Sequence, residues 1–385
     1  MTKIKIIYGP KTFFKKILKD EGVNSKENKN LSQLVQELSV IIHRADNRQS
    51  DESESTEEVD MPRQLQNLII ESGEYSSANE HVLINDQIIF SRYHIDNVFI
   101  HNPPDIFKES ITSLFGLENI KEEEFDYQTI SEDKIRLIDK EFSKNIFGQN
   151  DVRGRILTSL THLLSDEKPV VLLFYGPSGV GKTETAKLLA RLLGGSENTL
   201  FRRQFSMFQN NHFASYLFGG LHSEKSFSRE LLERSSNIIL LDEFDKVDPV
   251  FHNAFYQLFD EGVFVDRNYT VNLKKSIIVC TSNYSSEAAV RAKLGDPIYS
   301  RFDSCIGFRD LSPDVKERIV EKIVMEEIGK LPETLKLKVD AEKIKETSYG
   351  KTKSYGNYRM IKNFIRDLVA IYRLRDILAN EKEGE

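Results

Sequence analysis

The tightest constraint on this chain is a run of eight residues, Gly176, Pro177, Ser178, Gly179, Val180, Gly181, Lys182 and Thr183. Before it stands the apolar stretch Val170–Tyr175, bracketed by Pro169 and Gly176, which reads as a strand buried on both faces. After it comes an amphipathic stretch closed by Gly194 and Gly195, which reads as a helix. A strand, a glycine-rich turn and a helix in that order form a cradle for phosphate. The glycines let backbone N–H groups wrap an anion, and the helix start adds its dipole. Lys182 has the reach to touch terminal phosphates, and the Thr183 hydroxyl is placed for Mg²⁺, with Glu184 next in the first turn. The expected ligands are ATP and Mg²⁺.

Two further strands end in polar residues. Ser236–Pro249 carries four apolar residues and then Asp242 and Glu243. Carboxylates at the carboxyl end of a parallel strand lie at the crevice where ligands bind. Asp242 is expected to hold the metal through water, and Glu243 to polarise the water that attacks the terminal phosphate. The bland alternative is a strand that ends in solvated acids. Asp245 and Asp248 read as solvated or capping residues, since Asp248 precedes Pro249. Lys274–Ser286 ends in Thr281, Ser282 and Asn283. Asn283 is positioned to orient the water from the side, although asparagine also closes strands with a local turn.

Composition narrows what surrounds this centre. Of 385 residues, 53 are Lys or Arg and 60 are Asp or Glu, a net charge of −7, so nucleic acid is not the default partner. The run Val170–Tyr175 is far too short to span a membrane. The two cysteines, Cys280 and Cys305, are too few for a disulfide framework, and a reduced, cytoplasmic setting is expected. Residues 45–60 hold seven acids, one base and no aromatic residue, which reads as a disordered linker. Residues 1–44 read as a separate α/β segment with a helical stripe at Leu31, Leu34, Val35, Leu38, Ile41 and Ile42. Residues 61–135 read as a small α+β module, with a hairpin turning at Asn85-Asp86.

The chain also resembles the AAA+ ATPases, and among them the Clp-type remodelling chaperones. The likeness runs over about residues 140–380. Asn145–Leu157 resembles the segment that frames the adenine, with Ile146 and Phe147 at the base-contacting positions. Phe251–Asp266 is similar to the helix and turn after the second carboxylate motif. Pro297–Phe308 resembles the box of the arginine finger, which implies that role for Arg301. Leu335–Glu346 and Ser354–Arg366 resemble the small helical lid, with Arg359 as its sensor. The implied fold is a P-loop parallel α/β sheet over residues 136–311, a helical lid over 312–385, and a separate small α+β N-terminal region. The implied activity is Mg²⁺-dependent ATP hydrolysis in a homo-oligomeric ring, commonly of six subunits. Such a ring would remodel a macromolecular, chiefly protein, partner that is recruited through residues 1–135. The rival readings are an ATP-gated scaffold and a nucleic-acid-associated loader.

The chain departs from the Clp pattern between the second strand and Asp242. Ala214–Leu232 lacks the aromatic-hydrophobic-Gly tripeptide of a pore loop, so threading is not implied; Leu217-Phe218 reads as core. Ile306-Gly307-Phe308 spells a peptidase-docking tripeptide but reads as a buried strand, so no protease partner is inferred.

Overall fold

The computed structural model describes residues 2–23, 28–37, 63–76, 90–207, 212–221, 224–352 and 357–382. Its strands run in chain order as β1 (Lys3–Tyr8), β2 (Asn28–Asn30), β3 (Arg63–Ile70), β4 (Tyr93–His101), β5 (Ile120–Glu124), β6 (Val170–Tyr175), β7 (Phe201–Gln204), β8 (Ile238–Asp242), β9 (Val263–Val265), β10 (Thr270–Asn272), β11 (Ile277–Ser282) and β12 (Ser304–Gly307). They are divided between two compact units. One comprises Met1–Gln128, Met207–Asn237 and Val250–Lys274; the other comprises Thr129–Ser206, Ile238–Pro249 and Lys275–Glu385.

In the first unit the sheet order is β2-β3-β4-β1-β5, and every pairing is parallel. β1 is interior: Ile4 lies opposite Val98 on one side and Ile120 on the other. Residues 1–44 are therefore not a segment apart from residues 61–135, and the region is α/β rather than the expected α+β. The physical reason lies in burial. Ile4, Ile6, Val98 and Ile100 are buried, with Phe107 and Ile111 of the helix Asp105–Phe115 packed on them. Parallel strands need helical crossovers, and Lys11–Asp20 and Asp105–Phe115 supply them. Leu31 and Leu34 of the helical stripe are buried as expected. Val35 is partly buried against the same core, whereas Leu38, Ile41 and Ile42 of the stripe, the acidic linker and the Asn85-Asp86 turn lie outside the described residues.

Segments near Asp242 in sequence also belong to this unit. The antiparallel pair β9–β10 and the helix Phe227–Leu232 share a core of Phe227, Phe255 and Phe264. They bond to the N-terminal sheet region: Arg229 Nη2 donates to Ser72 O at 2.6 Å, and Asp105 N donates to Asn268 O at 2.8 Å. The Arg234 guanidinium is buried 4.0 Å from the Tyr127 ring centre. Leu217 is buried as expected, whereas Phe218 is 41% exposed, so only half of that pair is core.

The second unit carries a parallel sheet in the order β12-β6-β11-β8-β7. Register sets where its strands stop: Ser282 lies opposite Tyr175, and Cys280 lies opposite Leu241. The carboxyl ends of β6, β11 and β8 thus come to one level, the edge at which open parallel sheets bind ligands. The helix Lys182–Gly194 buries Ala186, Leu188, Leu189, Ala190 and Leu193 in the same core as Leu172 and Leu240. Ile306 and Phe308 are buried, and β12 pairs with β6, so that tripeptide is core as expected. Beyond it, the helices Pro313–Gly329, Ala341–Thr352 and Tyr358–Lys382 enclose a second core of Ile319, Ile323, Ile361 and Ile365. This is the helical lid.

Candidate nucleotide-binding site

A cleft of about 720 Å³ opens where the loop after β6 meets the lid. Its lining includes Ile146, Phe147, Ser178, Gly179, Val180, Gly181, Lys182, Thr183, Glu184, Asp242, Glu243, Asn283 and Arg359. Gly176 and Pro177 shape the loop from behind. Gly176 sits at φ +138°, and a Cβ there would stand 2.3 Å from Phe308 O, so only glycine fits. Gly179, at φ +77°, would place a Cβ 2.7 Å from Asn357 Cβ, and its carbonyl accepts from Tyr358 N at 3.2 Å. The lid is thereby tied to the loop.

Lys182 is 7% exposed. Its ammonium donates to Gly176 O and Pro177 O, and to Asn283 Oδ1 at 3.1 Å. Burial pulls its pKa from 10.5 down to about 8, against the pull of Asp242, Asp245 and Glu243 in the other direction. Asn283 in turn turns its amide toward Glu243, with Nδ2 3.4 Å from Oε1. Glu243 adopts the left-handed conformation, φ 56°, rare for a residue with a side chain. That turn is held by its backbone N–H, which donates to Thr281 Oγ1 at 2.9 Å, and by Gln204 Nε2, which donates to Oε2 at 3.2 Å. Asp242 is 7% exposed and accepts from Thr281 on one oxygen and from Arg202 on the other.

Ile146 and Phe147 line the apolar end of the cleft. Ile146 packs into the sheet core and Phe147 onto the lid core, so adjacent residues face opposite walls. Lys322 lies 5.2 Å from the Phe147 ring centre. Gln149, buried, bonds to Arg309 O at 2.8 Å and joins this segment to the chain entering the lid. A buried ammonium among loop carbonyls, a glycine cradle that no Cβ could share, and the Asp242 and Glu243 carboxylates lining the same cleft as Thr183 form a donor set that fits a triphosphate with a divalent cation.

Arg301 is not among the residues that line this cleft. It donates to Pro297 O at the end of the short helix Asp296–Tyr299. Asp303, two residues on, accepts from Val171 N at 2.6 Å. Asp245 differs from expectation. It is 1% exposed, and neither carboxylate oxygen has a hydrogen-bond partner among the described residues, so it is a buried group and not a solvated one. Arg202, Gln204, Thr281 and Gln149 were missed by sequence reasoning. The one signal for the first two was their alternation on a strand parallel to β8.

Known proteins resemble this chain in sequence and in fold. The profile of the AAA domain (Cdc48 subfamily) matches residues 167–336. The chaperone protein ClpB of Malacoplasma penetrans is 26% identical over 275 residues, which is 65% of this chain and 39% of that protein. ClpB of Clostridium perfringens is 28% identical over 285 residues, 65% of this chain and 33% of that protein. ClpB of Chlamydia caviae is 32% identical over 167 residues, 40% of this chain and 19% of that protein. The chain thus spans well under half the length of the curated relatives it matches. A closed-state cryo-EM reconstruction of Hsp104 with ATPγS and FITC casein shares the fold at a TM-score of 0.55 and 15% identity, over 98% of this chain and 89% of that one. Among the described residues no helix is long and apolar enough to cross a membrane. A phosphate loop, two carboxylates and a helical lid thus stand in one unit of a chain that carries an AAA domain over residues 167–336 and is similar to the Clp-type chaperones.

Proposed function

We propose that this chain hydrolyses ATP with Mg²⁺ at the cleft beside Lys182, within an oligomeric ring, and couples turnover to the remodelling of a protein partner. The single observation that carries the reading is the line of side chains across the cleft floor: Lys182 bonds Asn283, which faces Glu243, with Asp242 adjacent.

Each role follows from chemistry at a stated atom. The loop N–H groups and the Lys182 ammonium bind and orient the phosphates. Thr183 and Asp242 would hold Mg²⁺, which when bound draws charge from the phosphate oxygens. A Glu243 carboxylate oxygen takes the proton of the attacking water, while the Asn283 amide fixes the direction of approach. Ile146 and Phe147 seat the base and exclude water from it. Arg359, on the lid side of the cleft, adds a cation near the phosphates. Arg301, which does not line its own cleft, is assigned to a neighbouring subunit's nucleotide. Support for a protein partner comes from the ClpB relatives, and residues 1–135 are its proposed entry point.

The test is Glu243→Gln. Steady-state turnover should fall at least about a hundredfold, the range for losing a general base, while a fluorescent ATP analogue still binds. Parent-like turnover would refute the assignment. Stimulation of the parent by unfolded protein, and not by single-stranded DNA or RNA, is the expected partner response.

A further inference from the structure

β7 brings two side chains, not one, to the carboxylates that end β8. Arg202 and Gln204 are two residues apart and share a face of the strand, and the register sets Gln204 opposite Asp242. Gln204 reaches forward to Glu243. Arg202 reaches Asp242 itself: Nε lies 3.1 Å and Nη2 2.5 Å from Oδ2. Thr281 Oγ1 donates to the remaining oxygen, Oδ1, at 2.5 Å. The Arg202 side chain is 42% exposed and lines the cleft, whereas that of Asp242 is 10% exposed.

Two consequences follow from charge alone. An uncompensated carboxylate this close to the phosphate loop would repel a triphosphate, and a guanidinium, charged at every working pH, neutralises it. Both oxygens of Asp242 already carry protein donors, so a cation that engages this carboxylate competes with Arg202. Resting on the nucleotide-site reading above, we propose that Arg202 is a positioning residue that sets the metal dependence of nucleotide binding. It neutralises Asp242 so that a triphosphate can enter ahead of the divalent cation, and it gives up the carboxylate when the cation arrives.

The full chain carrying Glu243→Gln, in which turnover is blocked, is titrated with a fluorescent ATP analogue in EDTA and then across a Mg²⁺ series. Arg202→Met should weaken metal-free binding about tenfold and lower the Mg²⁺ concentration at half-maximal tightening about tenfold, the scale of one charged hydrogen bond. Arg202→Lys should lie between. Adding Asp242→Asn should erase the effect of Arg202→Met. An unchanged Mg²⁺ midpoint, or equal weakening with and without metal, overturns the proposal, since a merely structural role would move both alike. Should Arg202→Met fail to melt cooperatively, Arg202→Lys decides, and a parent-like midpoint for it overturns the proposal. A parent that binds no nucleotide at all overturns the site reading itself, and this proposal with it.

Discussion

At the scale of single residues, the buried ammonium of Lys182 has the sharpest solution consequence. Its pKa lies at about 8, below the usual 10.5, because burial penalises its charge. Between those two values the unfolded chain holds a proton that the folded one has lost, so this group's contribution to stability rises with pH across that window. A bound triphosphate reverses the balance by favouring the charged form. Nucleotide binding should therefore take up a proton above about pH 8, and affinity should fall as pH rises from there. Calorimetry in two buffers of different ionisation enthalpy measures that uptake; an affinity flat from pH 7 to 9.5 would count against it. Lys182 was legible in the sequence because its neighbours are fixed by a local motif. Asp245 was not: whether an acid after a strand is solvated depends on what packs over it, and here it is 1% exposed.

At the scale of elements, β11 braces β8. Thr281 is 2% exposed and holds both acidic residues, accepting from the Glu243 backbone N–H and donating to Asp242 Oδ1. Thr281→Val keeps the shape and removes both bonds, which should cost about 1–3 kcal/mol in stability. Turnover should drop more than nucleotide affinity, because the left-handed Glu243 loses the acceptor of its N–H. A thermal melt and a comparison of kcat with nucleotide affinity separate the two effects, and equal losses in both would refute the bracing role. The strands themselves were readable from apolar runs, and so were their polar ends. Their parallel register was not, because partners lie far apart in sequence, Phe201 opposite Ile239 and Ser304 opposite Leu172, and nothing local specifies who pairs with whom. In the N-terminal sheet the same difficulty hid β1. It lies between β4 and β5, so a chain lacking residues 1–44 should lose hydrogen-exchange protection in both those strands. Full protection of β5 in that truncation would contradict the interior position.

At the scale of the whole molecule, the prediction concerns sharing. Arg301→Ala should cut turnover while leaving nucleotide affinity within a few-fold. Mixing it with Lys182→Ala should restore part of the activity, since each supplies what the other lacks. Lack of restoration in mixtures shown by mass to co-assemble would exclude a finger acting between subunits. The sequence by itself determined the phosphate loop, the acidic strand end and the helical lid, because each is written in contiguous residues whose spacing has one physical use. Tertiary structure alone decided that β1 is interior, that Asp245 is buried, and that Arg202 and Gln204 confront Asp242 and Glu243. Those outcomes depend on which strands stop at the same level and on which charges then meet across a gap, and pairwise distances of that kind are set only when the whole sheet closes around its core.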